Sequence, residues 1–175
     1  VAHMLKNEFN MNPLTVTWAP HLYTDIGFKN HQDHVHIGDL ANILVTPPGK
    51  THRALTKLAF ENLGDPFLPF IFGQNNMPLQ MAALYKVSLI FYGENSEVEY
   101  GGNMADAYIP TRDWESKNSN ILMSGMPPET FTKYGITKED LYPYLPPSTQ
   151  QLNKINLEIH YMGYYHKWIP QENYY

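Results

Sequence analysis

Apolar residues in this chain come in two textures, and the alternation between them is the first structural signal. AHMLKNEF (2–9) reads as helix, already under way where the chain opens at Val1 with no capping residue ahead of it. After the turn-like Asn10-Met11-Asn12-Pro13, LTVTW (14–18) is β-branched and apolar enough for a buried strand, and Pro20 ends it. A mixed polar segment at 25–37 leads to a second short strand, NILVT, and to the turn Pro47-Pro48-Gly49. From 51 to 63, Leu55, Leu58, Ala59 and Leu63 share one helical face, and Gly64 suits the C-terminal stop. The aromatic FENLGDPFLPFIFGQ (60–74) reads as a loop-rich span that could line a pocket or belong to the core. Pro78 fits the first turn of a helix, LQMAALY, that feeds the strand VSLIFYG (87–93).

Continuous apolar strands separated by helices predict a parallel sheet with helices on both faces. Beyond about 103 the texture shifts to MPPE, YPYLPP and many tyrosines, predicting short helices and loops over one end of the sheet. Thr137, followed by Glu139 and Asp140, marks a helix start, and LEIHYMGYY (157–165) a last strand. One α/β domain over 1–175 is therefore expected, because 175 residues with 43% hydrophobic content support one core rather than two.

Charge and composition narrow the partners. A net charge of −5 without a dense Lys/Arg block disfavours nucleic acid. The chain has no cysteine, which removes thiolate metal sites and cysteine nucleophiles. Its longest apolar runs fall well short of the ~20 residues of a membrane helix. A cytoplasmic protein with no membrane partner is the expectation.

Candidate chemistry concentrates in FYGENSEVEYGG (91–102). In a parallel α/β sheet, ligands bind beyond the carboxyl ends of the strands, where Gly93 and Glu94 would lie with Glu97 and Glu99 following. Carboxylates there can hold Mg²⁺, and Gly101-Gly102 permits close backbone approach. The competing reading is a solvated acidic loop with a glycine turn. HQDHVH (31–36) invites a metal-site reading, but a polar surface helix accounts better for His31, His34 and His36, which do not share one face. Arg53 in KTHR and Arg112 in PTRDW are candidates for phosphate or carboxylate, each with surface ion pairing as its alternative.

MNPLTVTWAPHLYTDIG, GKTHRALTKLAFENLGDPFLPFIFGQ, FYGENSEVEYGG and INLEIHYMGYYHKWIPQEN together resemble the N-acetyl sugar amidotransferase family of bacterial surface-sugar biosynthesis. The likeness runs over nearly the whole chain. It implies a PP-loop ATP pyrophosphatase with a Rossmann-like parallel sheet, using ATP and Mg²⁺. It also implies a Ser-Gly-Gly-x-Asp-type phosphate loop just before the helix that VAHML resembles, and hence a domain that continues past both ends of this segment. GENSEVEYGG is similar to the Gly-Glu-Gly-(Ser/Ala)-Asp-Glu-Leu-Phe-Gly-Gly element of asparagine synthetases, with Asn95 replacing a glycine and Glu97 an aspartate.

By that likeness Glu97 is the Mg²⁺ ligand and Glu94 a catalytic group near the reacting intermediate. Thr17 and Trp18 fall on the adenine side, Gly93 beside the nucleotide, and Arg53 and Arg112 near phosphate or a sugar carboxylate. The implied reaction turns an acetamido group of a sugar, sugar nucleotide or pseudaminic-type acid into an acetamidino group, in lipopolysaccharide or flagellin glycan synthesis. Ammonia would come from a separate glutaminase partner. The rival readings are another PP-loop enzyme, such as a tRNA-thiolating or amide-forming ligase, and a non-catalytic sugar- or nucleotide-binding module.

Overall fold

In the computed structural model, which describes residues 1–94, 108–112, 114, 126–167, 169 and 171, four short strands form two parallel pairs. β1 (Leu14–Trp18) lies beside β2 (Ala41–Val45), with Leu14 opposite Ala41 and Trp18 opposite Val45. β3 (Leu89–Tyr92) lies beside β4 (Glu158–Tyr161), with Leu89 opposite Glu158 and Tyr92 opposite Tyr161. The mixed α/β character and the parallel pairing agree with the sequence pattern. Among the described residues, however, the strands make two two-stranded sheets rather than one extended sheet.

Parallel strands need a crossover of about a dozen residues, and helices supply it. α1 (Ala2–Asn7) precedes β1. α2 (Asp25–His36) joins β1 to β2 and buries none of its residues, as its polar pattern predicts. It is held locally by its cap, where the Thr24 hydroxyl accepts the Gly27 N–H at 2.9 Å, and by the Lys29–Asp33 ion pair one turn apart.

α3 (Gly49–Leu63) begins two residues earlier than the apolar spacing predicts. The Pro48 carbonyl accepts the His52 N–H at 2.9 Å and so sets the first turn. Gly64 ends the helix at φ 72°, a left-handed conformation that glycine adopts without a Cβ clash.

The largest departure from the sequence reading is α4 (Leu68–Tyr85), a single 18-residue helix. It absorbs the second half of the span read as loop-rich and aromatic, whose first residues end α3, and it passes through Pro78, expected to start a helix. Pro69, in the first turn, is the proline that opens it. Pro78 removes one backbone donor from the helix interior, and packing compensates: Leu68, Phe72, Met77, Leu79 and Ala82 are all buried. Full burial of side chains such as Leu68 and Phe72 contributes roughly 1.5–3 kcal/mol each.

α4 joins both parts of the core. Its first half packs with Trp18, Leu55, Ala59, Phe131, Leu141 and Tyr144. Its second half meets Leu152, Leu157 and Ile159. The later segments dock on it as predicted short elements: a 3₁₀ turn (Pro128–Tyr134), α5 (Lys138–Leu141), a second 3₁₀ turn (Tyr142–Tyr144) and α6 (Thr149–Asn153). Thr137 does start a helix, through a capping box with Asp140, and Ser148 forms another with Gln151.

The side-chain amides of α4 hold these segments by their backbone. Asn76 donates to the Tyr144 carbonyl at 2.6 Å, and Gln80 donates to those of Tyr142 at 2.8 Å and Leu145 at 2.6 Å. The strand predicted over 157–165 stops at Tyr161 and turns into α7 (Met162–Tyr165). β3 ends at Tyr92, opposite Tyr161, and the ladder ends with that pair.

Trp18 and α4 approach each other as closely as glycine permits. A Cβ placed on Gly73 would lie 2.1 Å from Trp18 Cε2. Gly73→Ala is expected to destabilise the fold by about 1–3 kcal/mol, read as a lower urea midpoint. An unchanged midpoint would show that the indole can move away freely.

Candidate functional site

The carboxyl ends of β1 and β2 open into a cavity of about 380 Å³. β1 runs on through Ala19 and Pro20 to His21, β2 through Thr46 to Pro47-Pro48, and α3 starts between them. His21, Pro47, Gly49, His52, Arg53 and Thr56 line the cavity. Among the described residues no side chain caps α3, so the N–H groups of its first turn and the helix dipole favour an anion at this end. Arg53, exposed at the start of the second turn, adds a positive charge.

A chain of three polar side chains runs from the core to this cavity. The buried Tyr144 hydroxyl lies 2.9 Å from His52 Nδ1, and His52 Nε2 lies 2.6 Å from His21 Nε2. The Tyr144 and His52 rings stack with centroids 5.8 Å apart. Burial pushes the Tyr144 phenol above its ordinary value, so it keeps its proton and donates to Nδ1. Burial, and then the charge of His21, holds His52 down to about 4. A neutral His52 that accepts at Nδ1 carries its hydrogen on Nε2 and donates it to His21 Nε2. The line of hydrogen bonds therefore runs Tyr144 to His52 to His21 and ends at an exposed imidazole.

A second, larger cavity of about 540 Å³ lies between β1 and β3, with Val1 and Gly93 at one end and Pro78 and Met81 of α4 among its walls. Glu94 follows Gly93 as an exposed residue at the carboxyl end of β3. Glu97, Glu99 and Gly101-Gly102 lie outside the described residues.

The other predicted site residues are dispersed. Thr17 is half-buried within the sheet, its hydroxyl accepting from Asn42 Nδ2 at 3.1 Å. Trp18 is buried under α4, edge-on to Tyr144, and among the described residues its Nε1 has no hydrogen-bond partner. Arg112 donates from Nη1 to Asn75 Oδ1 at 2.8 Å, beside Tyr92, whose hydroxyl donates to the Asn75 carbonyl at 3.2 Å. Burial raises the Tyr92 phenol to about 12, with the Arg112 charge opposing. Arg112 thus links the sheet to α4.

His31, His34 and His36 stay on the polar helix α2, and among the described residues no group of three or more His, Cys, Asp or Glu could hold a metal. Arg53 is the predicted site residue that joins the histidine pair. His21, His52 and Tyr144 were not singled out from the sequence. The available signal was local: both histidines follow a strand end and a proline, in WAPH and TPPGKTH. Comparison with known protein families and with curated proteins returns no match.

The depressed His52 value sets a pH dependence. An unfolded chain takes up a proton on this histidine near its ordinary 6.5, whereas the folded chain resists until about 4. Stability is therefore fully present above pH 6.5 and is lost as pH falls toward 4. Denaturation midpoints measured across that window should fall with pH, and His52→Gln should flatten this part of the slope. An identical slope in the variant would assign it to other groups.

Proposed function

We propose that this protein is an ATP-dependent, AMP-forming amidotransferase that converts an acetamido group of a bacterial surface sugar into an acetamidino group. The observation that carries the reading is the placement of Gly93-Glu94, and of the His21–His52–Arg53 cavity, at carboxyl ends of parallel strands. That is where α/β sheets bind their ligands. The resemblance to N-acetyl sugar amidotransferases supplies the reaction, and a Rossmann-like sheet is the fold that accompanies it.

The chemistry follows from the leaving group. An amide oxygen leaves poorly, so ammonia cannot displace it directly. Adenylation of that oxygen by ATP releases pyrophosphate, and ammonia then displaces AMP. Glu94 orients the ammonia or accepts its proton. Glu97 is the residue proposed to hold Mg²⁺, whose carboxylate preference suits this acidic stretch and whose charge would offset that of the phosphates.

The cavity at the start of α3 suits an anionic group, a phosphate or a sugar carboxylate, with Arg53 supplying a bidentate fork and His21 a hydrogen-bonding imidazole. Gly93 allows close approach of the nucleotide, and the backbone around Thr17 and Trp18 borders the adenine side. Arg112, already bonded to Asn75, acts at most through the position of that wall. With no cysteine for thioester chemistry, the ammonia comes from a separate glutaminase.

The deciding measurement is AMP and pyrophosphate release from ATP with Mg²⁺, ammonia and a panel of acetamido sugars. Sugar-dependent AMP is expected, abolished in Glu97→Ala and reduced about 10²–10⁴-fold in Glu94→Gln, with circular dichroism unchanged. Sugar binding without AMP would instead identify a binding module, and RNA-stimulated AMP formation another enzyme of the PP-loop group.

A further inference from the structure

Side chains of β4 alternate between the two faces of its sheet. Ile159 turns toward α4, in the cluster that holds Leu79, Ala82 and, from β3, Ile90. Glu158 and His160 therefore share the opposite face, and so does Phe91, which stands opposite His160 in the ladder. Directly after β4, α7 folds the chain back, and its last residue, Tyr165, comes to lie over that same face.

Three rings meet there. Phe91 and His160 have centroids 5.6 Å apart, His160 and Tyr165 5.8 Å, and Phe91 and Tyr165 6.4 Å in an edge-on contact. Polar contacts run through the middle ring: Glu158 Oε2 lies 3.2 Å from His160 Nε2, and the Tyr165 hydroxyl lies 2.6 Å from His160 Nδ1. The imidazole is largely enclosed, with 17% of its side chain exposed, while the carboxylate at one end and the phenol at the other reach solvent.

The carboxylate end sets the order of the protons. An ionised carboxylate only accepts, so the hydrogen of a neutral His160 sits on Nε2 and Nδ1 keeps its lone pair. The Tyr165 O–H must then donate to Nδ1. A hydroxyl bonded to an imidazole that a third group orients is the arrangement that activates a side-chain oxygen.

We propose that Glu158, His160 and Tyr165 form a proton relay that serves a ligand's neutral hydroxyl or amine group. Tyr165 is the residue that touches the ligand; His160 and Glu158 act through it as positioning residues. As the phenol oxygen takes a proton from the ligand, its own proton passes to His160 Nδ1. The imidazolium that forms is held beside the Glu158 carboxylate, so the ligand loses one proton and the relay gains it. This inference rests on the geometry of the three side chains and not on the proposed reaction.

The relay stands where a ligand can reach it. A Cβ placed on Gly163 would lie 3.9 Å from the Gly93 carbonyl oxygen, so α7 sits against the end of β3. Tyr165 is thus held at the carboxyl ends of two parallel strands, the position α/β sheets use for ligands.

Acylation by N-acetylimidazole tests the relay without any ligand, because the attacking phenol must surrender the same proton to His160 as it displaces imidazole. Tyr164 is the internal reference, being adjacent in the chain and equally exposed at 53%. Peptide mass spectrometry of the intact protein after timed labelling is expected to show Tyr165 acetylated about a hundredfold faster than Tyr164, within the usual range of general-base assistance. His160→Phe keeps a ring against Phe91 and should bring Tyr165 down to the Tyr164 rate. Glu158→Ala, at an exposed position, should lower the Tyr165 rate about tenfold and leave Tyr164 unchanged, and it carries the test if His160→Phe alters the circular dichroism. Equal rates for the two tyrosines in the unaltered protein would overturn the relay, as would an advantage of Tyr165 that survives both substitutions. The readout needs neither ATP nor sugar, so a failed relay and a failed reaction leave different records.

Discussion

Everything in this structure hangs on the burial of α4. The helix is apolar around most of its circumference, which is the mark of a helix enclosed by other elements rather than laid on a surface. It packs against β1 through the Gly73–Trp18 contact and reaches β3 and β4 through Leu79 and Ala82, which share a cluster with Ile159. It also holds the 142–145 segment through Asn76 and Gln80, whose side-chain amides donate to its backbone carbonyls. Two parallel pairs too small to stand alone are thereby fixed relative to one another.

The same contacts position the polar side chains at the carboxyl ends of β1 and β2. Asn76 holds the backbone of Tyr144, and the Tyr144 hydroxyl in turn fixes the His52 tautomer. His52 then points a hydrogen at His21, so the exposed imidazole is positioned by a line of bonds that starts on α4. Partial charges at the α3 start and the Arg53 guanidinium complete an edge that favours anions. The acidic Glu94 lies at the end of a different strand, across the sheet direction from that cavity. Cationic and acidic groups thus stand at the ends of different strands.

Much of the fold was legible because local rules operate alone at several positions. Gly64 ends α3 by its left-handed φ, Thr137 opens α5 by its capping box, and the β-branched LTVTW makes β1. α4 was misread because two prolines compete as start signals and the sequence does not say which is buried. The strand at 157–165 was overextended because alternation continues past Tyr161 while its partner does not. Glu94 and Arg53 could be placed from strand ends and helix starts. The His21–His52–Tyr144 line could not, since its members lie 31 and 92 residues apart in the chain.

By itself the sequence determined the strand and helix rhythm, the parallel α/β class and the acidic stretch after β3. These depend on composition, periodicity and turn residues, which act over a few neighbours. Tertiary structure alone decided that Trp18 is a core residue, that Arg112 is bonded to Asn75, and that the His21 and His52 imidazoles meet at 2.6 Å. Each of those is a contact between residues distant in sequence, and the close packing of α4 against both strand pairs is what brings them into reach.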